Sequence, residues 1–171
     1  MSGTTDGASI PEWAQPIIGK PYDESYLKAA IIHDHYCYEE NHVRTWRQTH
    51  RMFYDALIDL GVDQIKAKIM YAAVYIGGPK WVTIVPGQNC GINCVNNVYP
   101  SGQRWDSERF GSEDFTTELN KFQEIIQNAP EISLDEIDEI AQQMNPENFF
   151  YNQGSTYSPV GSDDPNIDPT Q

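Results

Sequence analysis

The sequence is poor in positive charge: 11 Lys and Arg stand against 25 Asp and Glu, a formal net charge of -14 over 171 residues. A surface of that sign repels phosphate backbones and anionic lipid headgroups at long range, which argues against nucleic acid as a partner. Long apolar runs are also missing. None approaches the roughly 20 residues needed to cross a bilayer, so no transmembrane segment is expected. The opening MSGTTDGASIPEW has neither the basic start nor the apolar centre of a secretory signal. That leaves a cytoplasmic location, or export by a route the sequence does not show. Cysteine is scarce as well: 3 residues are too few for a disulfide scaffold. Cys90 and Cys94, in CGINC, are close enough to pair or to remain two thiols, and Cys37 stands outside that pair. There is no internal repeat.

What is present is helical periodicity, over a length suited to one domain. Asp23 predicts an N-cap for a helix over about 24–40, with Tyr26, Ala29, Ala30, His33 and Cys37 on one face. Leu27, Ile31, Ile32 and Tyr38 make much of its remaining surface apolar, which predicts a central helix. TWRQ at 45–48 is a capping-box pattern opening a second helix, which Gly61 should stop. Its apolar stripe is Trp46, Phe53, Leu57 and Leu60, and the position missing from the stripe is His50. A third helix, about 63–77, starts at Asp63 and ends at Gly77-Gly78-Pro79. Residues 80–111 read as a long Gly/Pro/Asn-rich loop, with WVTIV as a candidate short strand. Ser112 and the SLDE box at 133–136 open two further helices. The expected fold is therefore mainly α, about five helices around a central antiparallel hairpin. One domain should span 1–145, with an acidic, mobile tail over 146–171.

A connection of about four residues makes the first two helices an antiparallel hairpin. At about 1.5 Å per residue, His33 and His50 come to within about one turn of the same height. The two imidazoles are thus expected to meet. Asp34, rotated by about 100° from His33, should point beside the pair and offer a carboxylate for a cation. His35, two residues from His33, diverges by about 200° and cannot chelate with it. A histidine facing the core is also at home as a satisfied structural residue, so the pair by itself does not prove chemistry.

TDGASIP at 5–11, AAIIHDHYCY at 29–38, RQTHRMFYDAL at 47–57 and AKIMYAAVYIGGPKW at 67–81 resemble an uncharacterised bacterial and prophage domain family of unknown function. This motif core covers residues 5–81. The layout is also similar to small bacterial phospholipases A2, in which a loop resembling SDGCS precedes a helix carrying HDxxY and an antiparallel second helix. That resemblance implies His33 as the general base that draws a proton from water, with Tyr36 or Tyr38 supplying a nearby hydroxyl. It implies Asp34 as a metal ligand, helped by oxygens around Asp6 and Gly7. Those enzymes place an aspartate on the second helix to orient the histidine, where this chain has His50. A neutral imidazole there can fix the tautomer of His33, but it cannot stabilise an imidazolium as a carboxylate does.

The function expected on these grounds is a metal-assisted hydrolase of phospholipase A2 type acting on a lipid or other ester. The cofactor would be a divalent cation, calcium or zinc; imidazole ligands suit zinc better. The alternative is a non-catalytic phage or bacterial accessory protein that binds a protein partner.

Overall fold

The computed structural model describes residues 24–38, 41–84, 103–106, 109–152 and 156–157. The segments holding Asp6 and Gly7, and Cys90 and Cys94, lie outside these residues. In chain order the elements are α1 (Glu24–Cys37), α2 (Trp46–Asp59), α3 (Gln64–Gly77), β1 (Lys80–Ile84), β2 (Gln103–Asp106), α4 (Glu113–Asn128), α5 (Leu134–Met144), α6 (Phe149–Asn152) and β3 (Thr156–Tyr157). The architecture is mainly helical. The WVTIV stretch supplies most of β1, the central strand of a small sheet ordered β2-β1-β3. β2 runs antiparallel to β1, with Trp105 opposite Trp81, and β3 runs parallel to it.

The helix boundaries follow from their caps. At the start of α2, Gln48 N–H donates to the Thr45 hydroxyl and Thr45 N–H donates to Gln48 Oε1, both at 3.1 Å. These two bonds satisfy donors that a helix start leaves without partners. At its other end Gly61 takes a left-handed conformation, φ 81°. Gly61 N–H then reaches Ile58 O and Val62 N–H reaches Leu57 O, the paired bonds of a Schellman stop. Ser112 and Ser133 cap α4 and α5 in the expected way.

α1 and α2 form the antiparallel pair, but α1 is not the central helix. Leu27, Ile31, Ile32 and Tyr38 are 41–60% exposed, and only the face of Tyr26, Ala29, His33 and Cys37 is buried. The central element is α3, buried on every side from Ala67 to Gly77 and flanked by α2, α4 and α5. Ala67, Ala72, Ala73 and Gly77 keep its surface low, so neighbours can approach on several sides. Burial also reaches past the expected domain end at 145. Phe150 and Tyr151 in α6 are buried, and Arg47 Nη2 donates to the carbonyls of both, at 3.0 and 2.9 Å. Aromatic area accounts for this: the Tyr151 ring stacks on Tyr75 at 5.6 Å, so residues 149–152 pack on the helical core.

α2 also holds α5 electrostatically. Arg51 pairs with Asp135 and, at 2.6 Å, with Asp138, whose other oxygen accepts from Tyr71 OH at 2.6 Å. Burial pushes the Asp138 carboxyl up from its ordinary range, and the bonds from Tyr71 and Arg51 oppose that shift. Removing Asp138 leaves the Tyr71 phenol without its acceptor and Arg51 with only the exposed Asp135. Asp138→Ala should therefore cost about 2–3 kcal/mol. Asp135→Ala removes a mostly exposed partner and should cost under about 1 kcal/mol. Urea unfolding of the two variants checks this; equal losses would contradict the assignment of Asp138 as the keystone of the network.

Candidate functional site

The two inward histidines meet inside the α1–α2 interface. His33 Nε2 lies 2.8 Å from His50 Nδ1, with ring centroids 5.0 Å apart and planes tilted by 35°. His33 is 5% exposed and His50 is fully buried. Phe53 packs on the His33 ring at 5.0 Å and Trp46 meets His50 edge-on at 5.6 Å, so aromatic walls fix both rings. One turn beyond His33 on the same face comes Cys37. Its Sγ is 3.5 Å from His33 Nε2 and 3.9 Å from Nδ1. His33, Cys37 and His50 each offer a ligand atom, and the three atoms all lie within 4.8 Å of one another.

The Asp34 side chain is 61% exposed, because α1 lies at the periphery and the rotation of about 100° from His33 carries it to the outer side. It does reach the pair, with Oδ1 3.5 Å from His33 Nδ1. The His33 ring therefore has two distinct edges. Nε2 faces inward, to His50 and Cys37, while Nδ1 faces a carboxylate that meets solvent. Tyr36 is half-buried with its ring edge-on to His35 at 5.0 Å, and among the described residues it shares no hydrogen bond with either histidine. Asp6 and Gly7 lie outside the described residues.

The far edge of His50 abuts the turn from α3 into β1. A Cβ placed on Gly78 would stand 3.0 Å from His50 Cε1, 3.1 Å from Nε2 and 2.4 Å from Val74 O, so only glycine lets the backbone come this close. Burial holds the His50 pKa well below its ordinary value, and the charges of His33 and Lys80 push the same way. The Pro79 carbonyl alone favours the protonated ring, although Nε2 makes no hydrogen bond of good geometry. His50 is therefore neutral.

Lys80, which the sequence reading did not single out, is 1% exposed. Its Nζ donates to the carbonyls of Ile76 and Gly78, both at 3.1 Å, and lies 5.6 and 5.5 Å from the rings of Trp46 and Tyr151. These contacts favour the cation. Burial opposes it, as does Arg109, and the pKa falls to about 7. Cys37 was also missed as a site residue, although its four-residue spacing from His33 was the available signal. For Lys80 no pattern in GGPKW distinguishes a buried lysine from a solvated one.

Residues 2–74 match the model of a family described as "Protein of unknown function (DUF1353)". An uncharacterised protein of Sinorhizobium fredii, y4iH, is 50% identical over 93 residues, 53% of this chain and 38% of that protein. A second from the same strain, y4jT, is 50% identical over 76 residues, 44% of this chain and 22% of its own length. The chain thus spans less than two fifths of either relative. Both matches and the family model support an uncharacterised bacterial family. No solved structure matches the chain. Among the described residues no helix is long and apolar enough to cross a membrane.

Lys80 gives the site a measurable signature. Its folded pKa of about 7 lies below the ordinary lysine value of about 10.4. Between those values the unfolded chain binds the extra proton, so its contribution is complete above about pH 10 and disappears as pH falls through about 7. The stability of the native protein should therefore rise between pH 7 and 9.5, by up to about 1.4 kcal/mol per unit from this group. Lys80→Met should flatten that rise in urea titrations. An unchanged slope in a folded Lys80→Met protein would show that Lys80 is not the titrating group.

Proposed function

We propose that the chain is a metal-assisted hydrolase of phospholipase A2-like layout, acting on an ester at the outer edge of His33. The observation that supports this most is the 2.8 Å contact between His33 Nε2 and His50 Nδ1, together with the 3.5 Å approach of Asp34 to His33 Nδ1. His50 is the neutral acceptor for His33 Nε2–H, which leaves Nδ1 as the basic nitrogen beside an exposed carboxylate. The second helix thus orients the base, as in the phospholipase layout, with an imidazole in place of the carboxylate.

In this reading His33 Nδ1 takes a proton from water while the water oxygen adds to the ester carbonyl carbon. The tetrahedral adduct then expels the alcohol oxygen, which receives the proton from His33 and leaves an acid and an alcohol as products. The phospholipase layout implies Asp34, Asp6 and Gly7 as the groups that would hold a divalent cation, and a cation so held would supply charge opposite the developing oxyanion. The inner set of two imidazoles and a thiol does not suit calcium, which takes oxygen ligands.

A second reading draws on a different observation. Leu27, Ile31, Ile32, Tyr38 and Val43 leave apolar area exposed on and just beyond α1, and a face of this kind suits a protein partner. In that reading the histidine pair is architecture.

The deciding assay is hydrolysis of phospholipid vesicles and of a simple ester by the native protein with calcium. His33→Ala should lower the rate by about 10² or more. His50→Asp should raise it, because a carboxylate stabilises the imidazolium that forms as water attacks. A native protein no faster than a folded His33→Ala variant, with no gain in His50→Asp, would overturn the hydrolase and leave the partner-binding reading.

A further inference from the structure

We propose that the inner edge of the same ring is a site for a thiophilic divalent ion of the zinc class, held by His33 Nε2, His50 Nδ1 and Cys37 Sγ, whose occupancy shuts off the base at Nδ1. The second half of this rests on the hydrolase reading; the binding site does not.

Geometry makes the first argument. Zinc bonds of about 2.0–2.1 Å to nitrogen and about 2.3 Å to sulfur, at tetrahedral angles, separate neighbouring ligand atoms by roughly 3.3–3.6 Å. The Sγ–Nε2 separation of 3.5 Å is already of that size. The two nitrogens, 2.8 Å apart, need to open by about half an ångström, and the third separation is no more than 4.8 Å. His33 and Cys37 share a helix face and His50 comes from the facing helix, so a small change in side-chain angle closes the set. Three protein ligands leave a fourth position for water.

The surroundings of the rings make the second argument. Histidines that bind metal hand their other N–H to a carboxylate or a backbone carbonyl, which turns the lone pair toward the ion. Here the far nitrogen of His33 faces Asp34 and the far edge of His50 faces the Gly78–Pro79 backbone. His50 Nε2 is buried without a hydrogen bond in this arrangement. When both far nitrogens carry protons, two bare lone pairs point at each other across 2.8 Å, a repulsion that a cation between them relieves. The soft thiol beside them selects the ion: imidazole with thiolate suits zinc or cobalt, and disfavours calcium and magnesium. The consequence for catalysis is a matter of tautomer. With an ion on Nε2, His33 carries its proton on Nδ1 and donates toward Asp34, so no base remains on the outer edge.

The test uses the whole chain and cobalt(II) as a spectroscopic stand-in for zinc. Titration should give the visible bands of tetrahedral cobalt with a thiolate-to-metal charge-transfer band, and zinc should displace both. Cys37→Ser should abolish the charge-transfer band, and Asp34→Asn should weaken binding by about 10-fold or more. X-ray absorption of zinc bound to the native protein should show nitrogen and one sulfur in the first shell, a readout that needs no variant to fold. An all-oxygen shell, or no zinc binding at micromolar concentration, would overturn the site. Ester hydrolysis is then compared between zinc-loaded protein and stripped protein resupplied with calcium. Lower activity when zinc-loaded supports the shut-off, and higher activity overturns it. A sulfur-containing zinc shell in a protein inert in both forms would keep the site and remove the hydrolase. Hydrolysis without sulfur-bound zinc would do the reverse.

Discussion

His50 is a fully buried imidazole pressed between the α1 helix on one side and the Gly78–Pro79 backbone on the other. A polar ring with no access to water must find partners or stay neutral, and it constrains whatever surrounds it. Its Nδ1 contact to His33 fixes the height of α1 along α2, because a slip of one residue would turn His33 by about 100° off the shared face. Its other edge leaves no space for a side chain at the point where α3 becomes β1. That close approach sets where β1 begins, and with it the place of Lys80 beneath the Trp46 and Tyr151 rings. Hairpin, turn and strand are thus placed by one side chain.

α2 carries this load because both its faces are engaged. Inward it offers Trp46, His50, Phe53 and Leu57, while Arg47 and Arg51 reach the far elements, Arg47 to carbonyls of α6 and Arg51 to carboxylates of α5. The family match ends at residue 74, before the sheet, α4, α5 and α6. Yet α3 has its central, all-round burial only because α4 and α5 pack against it. The matched segment supplies the site, and elements beyond it complete the core.

The meeting of His33 and His50 was legible because it depends only on helical period, hairpin connection and height, which the sequence carries locally. The capping boxes and the Gly61 stop were legible for the same reason. Which helix is central was not. α1 and α3 are both apolar on several sides, and periodicity does not say how many neighbours a helix will have. The answer came from α4 and α5, whose docking on α3 left Ile31 and Ile32 in solvent and carried Asp34 out with them. Lys80 was illegible because its burial depends on two rings, Trp46 and Tyr151, distant from it in the chain. The FFY of α6 was a visible aromatic signal, but polar surroundings on both sides masked it.

The same burial that makes His50 structural limits the chemistry it can take part in. A carboxylate in its place would bring a negative charge to the inner edge of His33 and hold a proton there. His50 is uncharged, and burial together with Lys80 and His33 resists its protonation. Toward His33 it can accept one hydrogen bond or lend one lone pair, and no more. The inner edge of His33 is therefore not committed by electrostatics: a proton on Nε2 and an ion on Nε2 both satisfy the geometry, and each dictates the opposite state of Nδ1. In a chain of charge -14, where long-range attraction concentrates cations near the surface, that uncommitted edge lies beside the soft donor Cys37. Histidine rather than a carboxylate at position 50 thus withholds negative charge from His33 and, in the same step, sets two ring nitrogens facing each other, a pair that an aspartate there could not form.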